Sequence, residues 1–288
     1  MKNFLYHIYS IPLYLLALLP FPLLYLLSDG LCFLAFNLIG YRKKVVYENL
    51  HNSFPTYTEK EIHVIAKKFY SHLFDTILET FKLLTMSKNG LKKHGVYTNL
   101  EVMDDIINQN KSFVILTGHM GNWEWLPNIW HLEGKADIVG IYHKLSSPFF
   151  EWFTKNMREK FGIQMITMEN TLRGMIANKN KLTGTGFISD QTPSKENAHW
   201  LTFLNQDTPV FMGAEKIAKK FNYPVIYCHI IKPKRGYYEI KIDVITMEPQ
   251  TTPDFYITET FNKLLEADII NQPEIWLWSH RRWKHKRG

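Results

Sequence analysis

Between residues 112 and 189, short apolar runs rich in β-branched residues alternate with segments whose apolar side chains recur at three and four, which confines the chain to an α/β fold. The runs at 112–117 (SFVILT), 137–142, 163–168 and 184–189 have the length of strands and few polar positions, as strands covered on both faces require. Helical spacing fills the intervals at 148–161 and 171–179, and another helix begins after Asn122. The expected class is α/β: a mixed, mostly parallel sheet flanked by helices. Upstream, 58–86 reads as one long helix whose apolar face carries Ile62, Ile65, Ala66, Phe69, Leu73, Ile77, Phe81 and Leu84, and 100–109 as a shorter one. Downstream, 212–221 reads as a helix, 223–231 and 237–246 as a strand pair turning at 232–236, and 255–270 as a closing helix.

Reactive groups in open sheets of this kind collect outside the carboxyl ends of strands. Two of those ends are polar here. Gly118 closes one run and His119-Met-Gly-Asn-Trp-Glu124 follows, while the run ending at Ser189 leads into Asp190 and Gln191. In a regular helix, residues five apart are rotated by about 140° and cannot share a face. With His119 in the loop and Glu124 near the first turn of the next helix, the two can meet. An imidazole, whose ordinary pKa is near ~6.5, can take a proton from a hydroxyl attacking a thioester, and a carboxylate can hold the ring in the right tautomer. That chemistry needs no nucleophile from the protein. The chain has no G-x-S-x-G elbow, and its two cysteines, Cys32 and Cys228, sit in apolar runs. The spacing by itself also fits an ordinary polar loop, and Asp190 by itself fits a turn cap.

The N-terminus sets the surroundings. Residues 4–27 hold no acid and no base besides His7, and about 20 such residues span a bilayer as helix. Pro12, Pro20 and Pro22 should kink or end the helix, with a turn at Ser28-Asp29-Gly30 before a second apolar stretch at 31–39. Arg42, Lys43 and Lys44 follow at once, which places what comes next on the cytoplasmic side. A buried hydrophobic hairpin with a basic cap is the competing reading. A cleaved signal peptide fits less well, because the apolar stretch is long and lacks a small-x-small cleavage site.

At 45% hydrophobic and 15% aromatic, the 288 residues supply ample core, and 21% charged residues argue against disorder. Two cysteines define neither a disulfide framework nor a zinc cluster. The net charge of +7 is concentrated in residues 278–288, where five bases stand with no acid. No nucleic-acid-binding module is readable, so the basic end is expected to meet an anionic lipid surface, a phosphorylated lipid or an acidic protein partner. Trp276, Trp278 and Trp283 among the bases suggest an interfacial aromatic belt.

Six ordered blocks carry a family likeness: RKKVVYENLHNSFP at 42–55, the 119–124 block, SPFFEWFTKNMREKFG at 147–162, ISDQ at 188–191, FMG at 211–213 and PEIWLWSHRRWK at 273–284. Together they cover nearly the whole chain, which resembles the lipid A secondary acyltransferases, the lauroyl and myristoyl transferases of the lysophospholipid acyltransferase superfamily. The resemblance implies His119 as general base, Glu124 as its carboxylate partner and Arg158 facing the developing oxyanion. It also implies acceptor contacts from Asn122, Asp190, Gln191, Arg281 and Arg282. The chain departs from the family at Tyr142-His143-Lys144, where many members read Tyr-Arg-Pro; a lysine supplies the charge without the bidentate geometry.

The expected protein is an acyltransferase of the inner membrane with its catalytic domain on the cytoplasmic side, an anchor at 1–41 and an acyltransferase domain at 42–288. It would take acyl groups from acyl carrier protein or coenzyme A, deliver them to a hydroxyl of a lipid A precursor, contact membrane lipids, and use no metal or cofactor. The same transfer onto a glycerophospholipid, aminolipid or pigment, or lipid binding without catalysis, are the alternatives.

Overall fold

The computed structural model describes residues 2–287; of the basic end considered above, Gly288 lies outside them. Helices α1 (Lys2–Leu18) and α2 (Phe21–Phe33) meet at Pro20, and Pro22 lies in the first turn of α2, where a missing N–H costs nothing. The expected turn at Ser28-Asp29-Gly30 is absent. Helix α2 runs through it and continues as a π-helical turn, Leu34–Ile39, because Ser28 is buried and hydrogen-bonded to Asp75 (2.7 Å). Among the described residues, 21–39 is the stretch long and apolar enough to cross a membrane. One face of α2 packs on the protein, and Leu23, Leu26, Phe33, Leu34 and Leu38 stay exposed on others.

Helix α3 (Lys43–Ser53) leads to α4 (Glu59–Lys82), which opens with a capping box between Thr58 and Glu61. Helix α4 buries two stripes. One is the expected apolar face as far as Leu73, whereas Ile77 is exposed and Phe81 and Leu84 are only partly buried; the other is polar, with His72, Asp75, Glu79 and Lys82 all buried. After α5 (Lys88–His94) come the short strand β1 (Gly95–Tyr97), a 3-10 turn at Leu100–Met103 with α6 (Asp104–Asn108), and β2 (Phe113–Thr117), buried at every position.

The alternation then unfolds much as its periodicity predicts: α7 (Leu126–Glu133), β3 (Asp137–Tyr142), α8 (Pro148–Arg158), β4 (Gln164–Thr167), α9 (Thr171–Ala177) and β5 (Thr183–Ile188). A separate hairpin of β6 (His199–Phe203) and β7 (Gln206–Val210) was not legible in the sequence. Helix α10 (Gly213–Phe221), strands β8 (Val225–Lys234) and β9 (Tyr237–Thr246), and α11 (Tyr256–Asn271) complete the chain.

The main sheet has the order β1-β9-β8-β2-β5-β3-β4. All neighbours pair in parallel except β8 with β9. The class is the expected mixed, mostly parallel α/β sheet. Helices cover both faces, and two apolar cores sit on its opposite sides.

Candidate active site

Register decides which side chains meet. Strands β2 and β5 pair in parallel with Thr117 opposite Ile188, so His119 and Asp190 both lie two residues past the same rung. Their side chains join: His119 Nδ1 is 2.5 Å from Asp190 Oδ1, and the His119 backbone N–H donates to Oδ2 at 2.8 Å. Oδ2 also accepts from Trp276 Nε1 at 2.8 Å. With the carboxylate accepting from Nδ1–H, Nε2 carries the lone pair, on the side of the ring that Gln191 faces. The Gln191 amide stands 3.3 Å from Nε2, and the Trp123 ring packs edge-on against the imidazole.

Burial would raise the Asp190 carboxyl, but the His119 charge and three donated hydrogen bonds outweigh it and hold the group down to about 2. Asp190 is therefore a carboxylate at any working pH. Nearby, His280 bonds to Thr192, and burial pushes it down to about 4, which keeps it neutral.

Glu124 goes elsewhere. It lies in the turn before α7, and its carboxylate takes both arms of the Arg158 guanidinium, Nε at 2.7 Å and Nη2 at 2.6 Å. The bidentate fork is the geometry only arginine offers. Among the described residues no hydrogen bond links Glu124 to His119, so the orienting contact expected of Glu124 is made by Asp190. Five residues of turn carry Glu124 toward α8, whereas the sheet register brings Asp190 directly beside the imidazole.

His119, Glu124, Arg158 and Gln191 line one cavity of about 600 Å³. Its apolar walls include Tyr97, Ile115, Leu126, Trp130, Ile138 and Met165. Gly186 lies on that wall with space where a side chain would stand, its nearest neighbour being the Val139 carbonyl oxygen at 3.8 Å from an added Cβ. The other residues expected to touch an acceptor are placed differently. Asp190 is buried behind His119. Asn122 is buried too and does not face the cavity: its Nδ2 donates to Glu79 and its Oδ1 accepts the Trp125 N–H.

The tryptophans of the basic end do not form an interfacial belt, although Arg281, Lys284, Lys286 and Arg287 are exposed. Trp276, Trp278 and Trp283 are 2%, 0% and 8% exposed, because they form the wall that closes the back of the site. Trp276 bonds to Asp190, and Met120 bridges to Trp276 while the Gly121 N–H donates to the Ile275 carbonyl. Arg282 is 1% exposed; its Nη1 donates to the Pro209 carbonyl at 2.7 Å, and burial lowers the guanidinium to about 10. Arg281 is exposed and lies outside the cavity wall. Sequence reasoning thus missed Trp276 as the second donor to Asp190, although it stands in a block already singled out.

The sequence profile of the bacterial lipid A biosynthesis acyltransferases matches residues 1–285. The chain belongs to this family. It is 22% identical to the lipid A biosynthesis lauroyltransferase of Escherichia coli K12 across 94% of this chain and 89% of that protein. A lipid A biosynthesis acyltransferase of Haemophilus influenzae is 25% identical, covering 92% of this chain and 86% of its own length. The lipid A biosynthesis palmitoleoyltransferase of Escherichia coli K12 is 20% identical over 94% of this chain and 88% of its own. The match runs through every block described, from the N-terminal helices to the tryptophan segment, so the family assignment rests on nearly the whole sequence and not on the 119–124 motif alone.

Proposed function

We propose that this chain transfers a fatty acyl group from acyl carrier protein, in preference to coenzyme A, to a hydroxyl of an acyl chain already carried by a lipid A precursor, at the cytoplasmic face of the inner membrane. The observation that carries the reading is His119, with Nδ1 bound to a buried carboxylate and Nε2 on the side of an apolar cavity. The acceptor hydroxyl gives its proton to Nε2 as its oxygen attacks the thioester carbonyl. The imidazolium that forms is stabilised by Asp190. Collapse of the tetrahedral intermediate expels the thiolate, and Nε2 returns the proton to it.

Arg158 is the group suited to the developing oxyanion. Glu124 fixes its Nε and Nη2, which leaves Nη1 without a hydrogen bond among the described residues. A guanidinium held rigid in a water-poor site contributes about 3 kcal/mol to such a step. The donor chain fits the apolar part of the cavity, and Gln191 at its polar rim suits contact with the acceptor. The thioester is already activated, so the chemistry calls for no metal.

The test is transfer by the purified protein from acyl-loaded carrier protein to a tetra- or penta-acylated lipid A precursor, read by mass spectrometry. The expected result is one added acyl chain, abolished in His119→Ala with the fold retained. Transfer only to a glycerophospholipid would move the acceptor to that class, and turnover that survives in His119→Ala would remove the general base.

A further inference from the structure

The catalytic turn rests on a residue that no motif marks. Glu79, on the second stripe of α4, is completely buried. Its Oε2 accepts from Asn122 Nδ2 at 2.9 Å and from Tyr238 Oη at 2.7 Å, and its Oε1 accepts from Tyr25 Oη at 2.8 Å. Its backbone carbonyl takes the Trp125 indole N–H at 3.0 Å. Asn122 in turn accepts the Trp125 backbone N–H, so the turn between His119 and Glu124 is tied at two points to one residue of α4. The turn also needs Gly121 at φ 52, where a Cβ would come within 2.5 Å of Ile230.

Tyr25 comes from α2, inside the apolar stretch that anchors the chain. It is not there by accident of packing. At the tip between β8 and β9, Gly236 (φ 75) has no side chain, and a Cβ there would lie 1.9 Å from the Tyr25 hydroxyl. The neighbouring Arg235 covers the Tyr25 ring at 4.4 Å and bonds to both Asp29 of α2 (2.6 Å) and Asp75 of α4 (2.6 Å). The hairpin tip therefore clamps α2 with the Tyr25 hydroxyl directed at Glu79.

We infer that Glu79 is a positioning residue for the catalytic turn and that the N-terminal membrane helix completes its hydrogen-bond set through Tyr25, so the anchor is also part of the active-site scaffold. The inference rests on the acyl-transfer reading only for its kinetic measurements. A glutamine at 79 can keep its oxygen toward Asn122 and Tyr238 and turn its amide to Tyr25, whose hydroxyl can accept. An apolar side chain of the same length cannot, and it leaves two buried donors unpaired.

The experiment uses the full chain in detergent or vesicles with Glu79→Gln, Glu79→Met, Tyr25→Phe, Asn122→Ala and the Glu79→Met/Asn122→Ala double variant. Glu79→Met should lower kcat by about 10-fold or more, and Tyr25→Phe by about 3- to 5-fold, both at unchanged KM, with Glu79→Gln close to wild type. The double variant should fall no further than the worse single one, because both act through the same turn. Amide exchange in a peptide covering 119–126 should rise in Tyr25→Phe while partition into vesicles stays unchanged. If Glu79→Met fails to fold, Tyr25→Phe decides alone. Unchanged kcat and exchange in Tyr25→Phe, or losses that multiply in the double variant, would overturn the inference. A wild-type chain that transfers nothing would defeat the functional reading instead, and the exchange arm, which needs no substrate, would still test the tie.

Discussion

Asp190→Asn isolates the contact that orients His119, the proposed base. Asp190 Oδ2 accepts two N–H groups, from the His119 backbone and from Trp276. An asparagine must keep its carbonyl oxygen there, because turning its amide toward two donors would leave three buried N–H groups facing one another. The amide nitrogen is then forced toward His119 Nδ1, which becomes an acceptor, and the ring proton moves to Nε2. The base is lost with hardly any change in shape. A wrong tautomer in a comparable His–Asp arrangement costs about 10⁴ in kcat, so a fall of about 10³ to 10⁴, or ~4 to 5.5 kcal/mol on the barrier, is expected at unchanged KM. Initial rates of acyl transfer with purified variants, alongside thermal melts, measure it. Glu124→Gln supplies the contrast: it loosens the Arg158 fork but leaves His119 untouched, and should lose about 10- to 100-fold. Retention of more than a tenth of wild-type kcat by Asp190→Asn, or a greater loss in Glu124→Gln, would refute the assignment of Asp190 as the orienting carboxylate.

Four further outcomes follow from the same geometry. Arg158→Lys should lose about 100-fold in kcat, because an ammonium cannot hold the two-point contact with Glu124 and also present a fixed donor; near-normal turnover would place Arg158 outside the chemistry. The Asp190 carboxyl is depressed in the fold, so its stabilising contribution is complete above the unfolded-chain value near ~4 and is lost as pH falls toward about 2; acid unfolding of Asp190→Asn should lack that segment, and an unaltered curve would contradict it. Arg282→Ala should lower Tm by several degrees, through a loss of about 2 to 4 kcal/mol in the core, without changing acceptor KM, whereas Arg281→Ala should leave Tm alone. Gly186→Val should narrow the cavity and shift donor preference toward shorter acyl chains, read by competition between two chain lengths; an unchanged preference would move the donor chain out of this part of the cavity.

Truncation before Arg42 removes groups that bond to α4. It strips away exposed apolar surface, and with it Tyr25, Ser28 and Asp29, so Glu79 loses one of its three side-chain donors, Asp75 the Ser28 hydroxyl and Arg235 one of its two carboxylates. Lys82 also loses the Ala17 and Leu19 carbonyls that receive its ammonium. Loss of turnover even in detergent is the expected result, and an active soluble truncation would show that the helices only anchor.

The sequence by itself determined most of the elements and singled out His119. Strand β3 falls where its apolar run ends, since burial on two faces writes itself directly into composition; β9, buried at alternate positions, also has the bounds read from the sequence; and His119 was legible because glycine and a polar turn follow a strand. The helix from Thr58 was legible, and the structure adds its capping box, Thr58 with Glu61. What the tertiary structure alone decided is which side chains meet. The 119–124 spacing suggested a pair that the chain does not form, because contact across a sheet depends on register, here Thr117 opposite Ile188, and register is set by residues distant in sequence. The tryptophans of the C-terminal segment carry the composition of an interfacial belt and yet line the core, since composition alone does not say which side of a surface a residue faces. The polar stripe at 72, 75, 79 and 82 was present in the sequence at helical spacing, but only the arrival of α2, the β8–β9 tip and the 119–124 turn on that face shows that it is buried and what it holds.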